Sequence, residues 1–217
     1  MIKLQNKKFI FVAGPSESGK SSGINYIVSA FQMVKHLKIR NIFRELYEKS
    51  SSSMDYDAWY AEELRRDFRN HWEKYLELAV FRSEDKDIII MDTLYNPEVA
   101  MVLYDILANQ LHLLYIDAPF NVRVKREYER LRKDSTFSDR KADLSITLED
   151  VSKRTTAKDA KKLAEGIDNY PKLVIRSDNS VTIGGEGRSL VYVINNTVSE
   201  EDFHKLLNSF MNDTVLC

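Results

Sequence analysis

Two glycines, a lysine and a serine near the start of the chain have the spacing of a phosphate-binding loop. Residues 14–21 read GPSESGKS, which fits the pattern G-x-x-x-x-G-K-[ST]. Glycine at both ends lets the backbone turn and approach a ligand closely, so the loop N–H groups can face a polyphosphate. The lysine would place a positive charge at the β- and γ-phosphates, and the serine hydroxyl would ligate Mg²⁺. The predicted ATP-binding residues are Gly14, Pro15, Ser16, Glu17, Ser18, Gly19, Lys20, Ser21 and Ser22, with Lys20 also catalytic and Ser21 also a metal ligand.

The sequence on either side of the loop has the elements needed to hold it. Residues 9–13, FIFVA, form an apolar run with the length and composition of a buried strand. Apolar residues after the loop, at Ile24, Ile27 and Phe31 among others, follow the spacing of a helix. Strand, loop and helix start occur in the order that the motif requires. The alternative is an ordinary glycine-rich turn, which the agreement of the motif with both flanks disfavours.

Strands and helices alternate along the rest of the chain. Residues 34–39 predict a short second strand, and the apolar runs 88–92, 111–117 and 191–194 predict buried strands. Helical spacing predicts long helices at 55–82, after Pro119, and at 147–167, with shorter ones at 97–107 and 199–211. The GGEG segment 184–187 predicts a hairpin turn. This alternation is typical of a parallel, doubly wound α/β sheet.

Composition favours one globular domain. The chain has 217 residues, of which 43% are hydrophobic and 30% charged, enough for a sizeable core with a solvated surface. The net charge of −1 provides no global field for nucleic acid or a membrane, so neither is expected as a partner. The only cysteine is Cys217, no apolar run approaches membrane-spanning length, and the N-terminal run reads as a strand rather than a signal peptide. A cytoplasmic location is the expectation.

Two predicted strands end in an acid that could lie near a bound phosphate. Asp92 follows the apolar run IIIM, and Asp117 follows LLYI. Either carboxylate could hold the shell of Mg²⁺ if its strand lies beside the strand that precedes the loop. The order of the strands does not follow from these residues, so both acids stay open at this point.

The chain resembles the P-loop nucleotide kinases, namely the nucleoside-monophosphate, deoxynucleoside-monophosphate and dephospho-coenzyme-A kinases. Five stretches carry the resemblance: GPSESGKSS, the strand IIIMD, LLYIDAPFNVRVKRE, the basic region 138–154, and VYVINNTVSEEDF. The resemblance implies a three-layer α/β fold with a parallel five-stranded sheet of order 2-3-1-4-5. It also implies one domain over residues 1–217, with a small lid around 132–146. The implied reaction is phosphoryl transfer from ATP, with Mg²⁺, to a small acceptor such as a nucleotide or nucleoside.

The resemblance also assigns roles to single residues. Asp92 would end the strand beside the loop strand, as catalytic residue and metal ligand, whereas Asp117 would be structural. Arg123 and Arg126, three apart on one helix face, would clamp the donor phosphates; alternatively they are surface charges of a salt-bridged helix. The remaining implied contacts are the lid arginines Arg140 and Arg154, the acceptor-binding Arg44 and the adenine-contacting Asn195; Arg44 could equally be a solvated helix residue and Asn195 part of a plain turn.

The acceptor motif departs from the family. Kinases of the adenylate-kinase pattern have D-G-[FY]-P-R after the third strand, where residues 92–96 here read DTLYN, so the acceptor arginine is missing. This departure keeps a second hypothesis open, an NTP-binding switch or slow NTPase that acts on a macromolecular partner. The aromatic stripe of residues 55–82 could line an acceptor pocket or the interface of a homodimer.

Overall fold

The strands of the protein form one parallel sheet and one small antiparallel sheet. The computed structural model describes residues 7–66, 68–94, 96–133 and 142–217. Its strands are β1 (Lys8–Ala13), β2 (Val34–Lys38), β3 (Ile88–Asp92), β4 (Leu111–Asp117), β5 (Leu173–Ile175), β6 (Val181–Ile183), β7 (Arg188–Ser189) and β8 (Val191–Asn195). The large sheet has the order β2-β3-β1-β4-β8, and every neighbouring pair in it is parallel. With β8 as the fifth parallel strand, the expected order 2-3-1-4-5 is confirmed.

Helices cover both faces of this sheet. They are α1 (Lys20–Ala30), α2 (Ile39–Ser50), α3 (Tyr56–Arg66), α4 (Phe68–Phe81), α5 (Pro97–Leu107), α6 (Phe120–Leu131), α7 (Leu148–Ala164) and α8 (Glu200–Phe210). On one face, Ile10 and Val12 of β1 pack with residues of α1 and α8. On the other face, Phe9 and Phe11 pack with residues of α2, α4 and α5. Because both faces of β1 are buried, its sequence is a continuous apolar run rather than an alternating one. The predicted three-layer α/β class is confirmed.

The prediction of one continuous helix over residues 55–82 is wrong, because this part of the chain forms two helices, α3 and α4. The rings of Trp59 in α3 and His71 in α4 are 6.5 Å apart. In one straight helix, twelve residues would separate them by about 18 Å along the axis. The two helices instead pack together with α2, where the ring of Phe43 lies against Tyr60, Trp72 and Tyr75.

The hairpin predicted at residues 184–187 is also wrong. Strands β6 and β7 do not pair with each other; each pairs with β5, giving the order β6-β5-β7. The glycine-rich segment therefore crosses from one edge of this small sheet to the other. At Gly187, which has a φ of +156°, an added Cβ would lie 2.5 Å from the Ile175 carbonyl oxygen.

Two helix starts were predictable from capping residues. Helix α5 begins with Pro97 in its first turn, and the Asn96 side chain accepts a hydrogen bond from the N–H of Glu98. Helix α7 begins with a capping box, in which Thr147 and Asp150 each accept from the backbone N–H of the other. Within the described residues, no helix combines the length and apolar character needed to cross a membrane.

Candidate phosphate-binding site

The loop between β1 and α1 has a backbone that its two glycines make possible. Gly14 and Gly19 have φ values of +139° and +100°, in the region that L side chains rarely adopt. An added Cβ at Gly14 would lie 2.1 Å from the Ile116 carbonyl oxygen of β4. At Gly19 it would lie 2.3 Å from the side-chain nitrogen of Asn196, which follows β8. Both glycines therefore let the loop pack tightly against the carboxyl edge of the sheet.

The first turn of α1 is available to an anion. Its N-cap is Gly19, which has no side chain to accept from the helix N–H groups, and no acidic residue lies in the first turn. Uncapped N–H groups and the helix dipole both favour a negatively charged ligand at this end. The Asn196 amide donates to the Ser18 carbonyl oxygen at 2.9 Å, which fixes the loop just before the helix.

A cavity of about 450 Å³ opens in front of this helix start. It is lined by Glu17, Ser18, Gly19, Lys20, Ser21, Ser22, Arg126, Glu127 and Arg130. The cavity thus brings together the predicted loop residues and one predicted arginine. A second cavity, of about 420 Å³, lies at the opposite ends of β4 and β8, near His112. The loop cavity is the better candidate site because donors and cations converge on it.

Lys20 turns back onto its own loop. Its ammonium group donates to the Pro15 carbonyl oxygen and lies 3.5 Å from the Ser18 hydroxyl. A second ammonium, that of Lys162 in α7, donates to the Gly14 carbonyl oxygen at 3.1 Å. Burial and the neighbouring Lys162 lower the pKa of Lys20 to about 7, while Glu17 raises it and Arg123 lowers it further.

Arg123 lies under the loop. Its guanidinium is buried and donates to the Ser16 carbonyl oxygen at 2.8 Å, to Asp159 at 2.7 Å and to the Ala118 carbonyl oxygen at 2.9 Å. The other oxygen of Asp159 accepts the Ser16 N–H at 3.0 Å. Arg123 and Asp159 thus bind the carbonyl and the N–H of Ser16, so both act as positioning residues for the loop backbone. The predicted contact of Arg123 with phosphates stays a prediction.

Arg126 and Arg130 face the cavity from α6. One guanidinium nitrogen of Arg126, Nη2, lies 3.4 Å from the Asn196 side-chain oxygen. Its other terminal nitrogen, Nη1, is buried and has no hydrogen-bond partner among the described residues. A buried donor without an acceptor is costly, so a bound ligand that accepts from it would be favoured. Arg126 therefore points to a ligand in the cavity.

Arg130 and Glu127 line the cavity but were not predicted from the sequence as site residues. Arg130 forms two hydrogen bonds of 2.5 Å with Glu127, which is only 5% exposed. The available signal was spacing, because Arg130 lies four residues after Arg126 and therefore on the same helix face. Glu127 lacked a signal because an acid is not expected beside a phosphate site; here it carries the ion pair with Arg130.

Asp92 and Asp117 lie on opposite sides of the loop strand. In the register of the sheet, Asp92 pairs with Val12 of β1, whereas Asp117 pairs with Asn195 of β8. Asp92 Oδ1 lies 2.9 Å from His36 Nε2. Asp117 accepts the N–H of Ala118 through its own side chain, at 2.8 Å, as a turn residue does. Both acids end strands that lie directly beside β1, so the order of the sheet does not distinguish them, and the functional role of Asp92 stays a prediction.

The remaining predicted residues lie outside the cavity or outside the described residues. Arg44 is exposed, stacks over the Tyr56 ring at 5.4 Å, and lines a surface depression rather than the loop cavity. Arg154 is exposed on α7. Asn195 is exposed at the end of β8, and its neighbour Asn196 makes the contact with the loop. Arg140 lies outside the described residues, as does most of the predicted lid 132–146.

Comparison with known proteins gives structural likenesses only. No family model matches the chain, and no curated protein sequence matches it. Among solved structures, TT1252 from Thermus thermophilus aligns with a TM-score of 0.45 at 16% identity, over 95% of this chain and 97% of that one. An unliganded sugar kinase from Janibacter sp. HTCC2649 aligns at 0.46 and 13%, over 96% of each chain. Shikimate kinase from Bacteroides thetaiotaomicron aligns at 0.44 and 10%, over 94% and 97%. Because these scores and identities are low, the functional proposal rests on the site itself.

Proposed function

We propose that the protein transfers the γ-phosphoryl group of ATP, with Mg²⁺, to a small acceptor. The observation that carries the proposal is the cavity at the start of α1, which is lined by Lys20, by the uncapped first turn of the helix and by Arg126, whose Nη1 has no hydrogen-bond partner among the described residues. Phosphoryl transfer needs positioning and preplaced positive charge more than covalent chemistry. These groups supply both at one place.

Each group of site residues has a separate role in the proposed reaction. The loop N–H groups and Lys20 bind the β- and γ-phosphates, while Arg126 stabilises negative charge from the α6 side. Arg123 and Asp159 hold the loop backbone so that its N–H groups keep their direction. No covalent intermediate on the protein is needed.

Two oxygen donors at the carboxyl edge of the sheet have the chemistry that Mg²⁺ requires. Ser21 is an exposed residue that lines the cavity, and Asp92 ends β3, one of the two strands beside β1, with its Oδ1 in contact with His36. Hydroxyl and carboxylate oxygens are the ligands that Mg²⁺ prefers. When bound, the ion would neutralise charge on the phosphates. Ser21 and Asp92 are the residues we propose to hold it, directly or through water.

The acceptor in this proposal is a nucleotide or nucleoside. The resemblance of the five stretches to nucleotide kinases supports this choice of acceptor. We also propose that the chain is a single domain with a lid over 132–146 and that it acts in the cytoplasm. Arg44 is not part of the loop cavity in this structure, so an acceptor contact by Arg44 would require that the acceptor extend toward α2.

A thermal-shift screen followed by product analysis tests the proposal. Ligands that bind the native state raise the melting temperature by mass action. We expect a shift with Mg-ATP that grows with one member of a panel of nucleosides, nucleoside monophosphates and dephospho-coenzyme A, and a phosphorylated product from that member. If no member is phosphorylated while ATP binds, the proposal of a small acceptor is wrong. A partner that binds differently in the presence of ATP and of ADP would then favour the NTP-binding switch.

A further inference from the structure

Helix α7 contacts the phosphate-binding loop through three residues on one face. Lys158 forms an ion pair of 2.8 Å with Glu17, and Asp159 accepts the Ser16 N–H at 3.0 Å. Lys162 donates to the Gly14 carbonyl oxygen at 3.1 Å. Lys162 follows Lys158 by four residues and Asp159 by three, so the three side chains can reach the loop from one side of the helix. The loop is thus enclosed by α7 as well as by α1 and α6.

Lys162 and Lys20 place two ammonium groups side by side. They donate to consecutive carbonyl oxygens, those of Gly14 and Pro15. Both side chains are partly buried. Neighbouring cations that have lost part of their hydration repel each other, and the backbone carbonyls, with the attraction of Lys162 to Asp159 and Glu17, compensate part of this repulsion. An anion with several charges would relieve this repulsion.

We propose that Lys162 is a second phosphate-binding lysine, which contacts the γ-phosphate of bound ATP beside Lys20. This inference deepens the proposed function and rests on it. During transfer, the bond from the γ-phosphorus to the ADP oxygen breaks, a bond to the acceptor oxygen forms, and the acceptor proton is released. Lys162 contributes only charge, which stabilises the phosphoryl group as it moves.

The other lysines of α7 do not have the same surroundings. Lys158 forms an ion pair with Glu17 and lies 3.8 Å from a Glu127 oxygen, and Lys153 forms an ion pair with Glu149 in the first turn. Lys161 is exposed on the helix. Lys162 instead holds a loop carbonyl next to Lys20, at the first residue of the loop. It is therefore the lysine of this helix whose position fits a contact with phosphate.

The test compares Lys162→Met with Lys161→Met, a matched loss of charge one residue away. We expect Lys162→Met to lower kcat for phosphoryl transfer by about 10²-fold, the usual effect of removing one group that stabilises transition-state charge. ATP affinity should also fall several-fold, whereas affinity for ADP, which lacks the γ-phosphate, should stay within about two-fold. Lys161→Met should match the wild type in all three, and Lys162→Arg should recover part of kcat. Melting curves by circular dichroism check that each variant is folded.

The binding arm separates this inference from the proposed function. If the wild type binds ATP but phosphorylates no acceptor, the proposed function fails. The contact of Lys162 with the γ-phosphate is then still tested by comparing the affinities of wild type and Lys162→Met for ATP and for ADP. A kcat within about three-fold of wild type, or equal changes in ATP and ADP affinity, would overturn the role of Lys162. Because methionine keeps the length of the side chain, a folded variant is expected.

Discussion

Removing one partner of the ion pair between Arg123 and Asp159 should cost several kcal/mol, because the other partner would be left withdrawn from water without its counter-charge. The two side chains are 8% and 16% exposed, and their closest atoms are 2.7 Å apart. Removing one partner of a buried pair leaves an uncompensated charge, which costs about 3–5 kcal/mol. Arg123 would keep its bonds to two carbonyl oxygens in Asp159→Ala, so we expect the lower end, about 3 kcal/mol. For a chain of this size, that is a fall in Tm of about 6–12 °C.

Urea unfolding of a double-mutant cycle is the assay. Asp159→Ala, Arg123→Met and the double variant are compared, and the double variant should cost less than the sum of the single ones, by more than about 1 kcal/mol. The control is Glu129→Ala, an exposed acid in an i,i+4 pair with Lys125, which should cost less than about 0.5 kcal/mol. The reasoning is refuted if Asp159→Ala unfolds within about 1 kcal/mol of wild type, or if the single effects simply add.

Three further predictions concern the site. Gly19→Ala should lower ATP affinity by at least about ten-fold and destabilise the protein, because the added Cβ would lie 2.3 Å from the Asn196 amide nitrogen at a φ of +100°; unchanged binding in a nucleotide titration would contradict this. ATP binding near pH 8 should take up protons, because Lys20 has a pKa of about 7 in the free protein and the charge of the phosphates raises it; calorimetry in buffers of different ionisation enthalpy measures the uptake, and none should be seen near pH 5, where Lys20 is already protonated. Asp92→Asn should reduce transfer much more than Asp117→Asn in a steady-state assay, and the reverse ranking would mean that the strand end beside β8 carries the chemistry.

Local sequence patterns were sufficient for the loop and the strands around it. The glycines, Lys20 and the apolar run before them act within a few residues of one another, so their spacing determines the local structure. The end of β3 at Asp92 was predictable for the same reason. That β3 lies beside β1 follows from the packing of the whole sheet, and only the resemblance to nucleotide kinases supplied it.

The contacts that complete the site come from residues far apart in the chain. Asp159 and Lys162 reach the loop from about 145 residues away, and nothing in the pattern of α7 distinguishes them from solvated charges. Likewise, the packing of α3 beside α4 involves the ring of Phe43, which lies against Tyr60 of one helix and Trp72 of the other. The apolar periodicity did not reveal two helices, because both bury aromatic residues against the same neighbour.

The sequence also could not predict which way a helix side chain points. Arg44 lies where the resemblance to nucleotide kinases implies an acceptor-binding arginine, yet its guanidinium stacks on Tyr56 and lies by the ion pair of Glu45 and Arg82. That direction is set by α3 and α4, whose positions depend on the packed aromatic rings. The position of Arg44 in the sequence therefore does not predict what its side chain contacts until the positions of the neighbouring helices are known.

Transfer of labelled phosphate from γ-labelled ATP tests the central proposal most directly. Wild-type protein, Lys20→Met and Lys161→Met are incubated with Mg²⁺, labelled ATP and the acceptor chosen by the thermal-shift screen. We expect labelled acceptor from the wild type and Lys161→Met, and a loss of about 10³-fold or more in Lys20→Met, which lacks the loop ammonium. Equal transfer by Lys20→Met and wild type would contradict the assignment of the loop as the phosphate site, and so would the absence of labelled acceptor from all three.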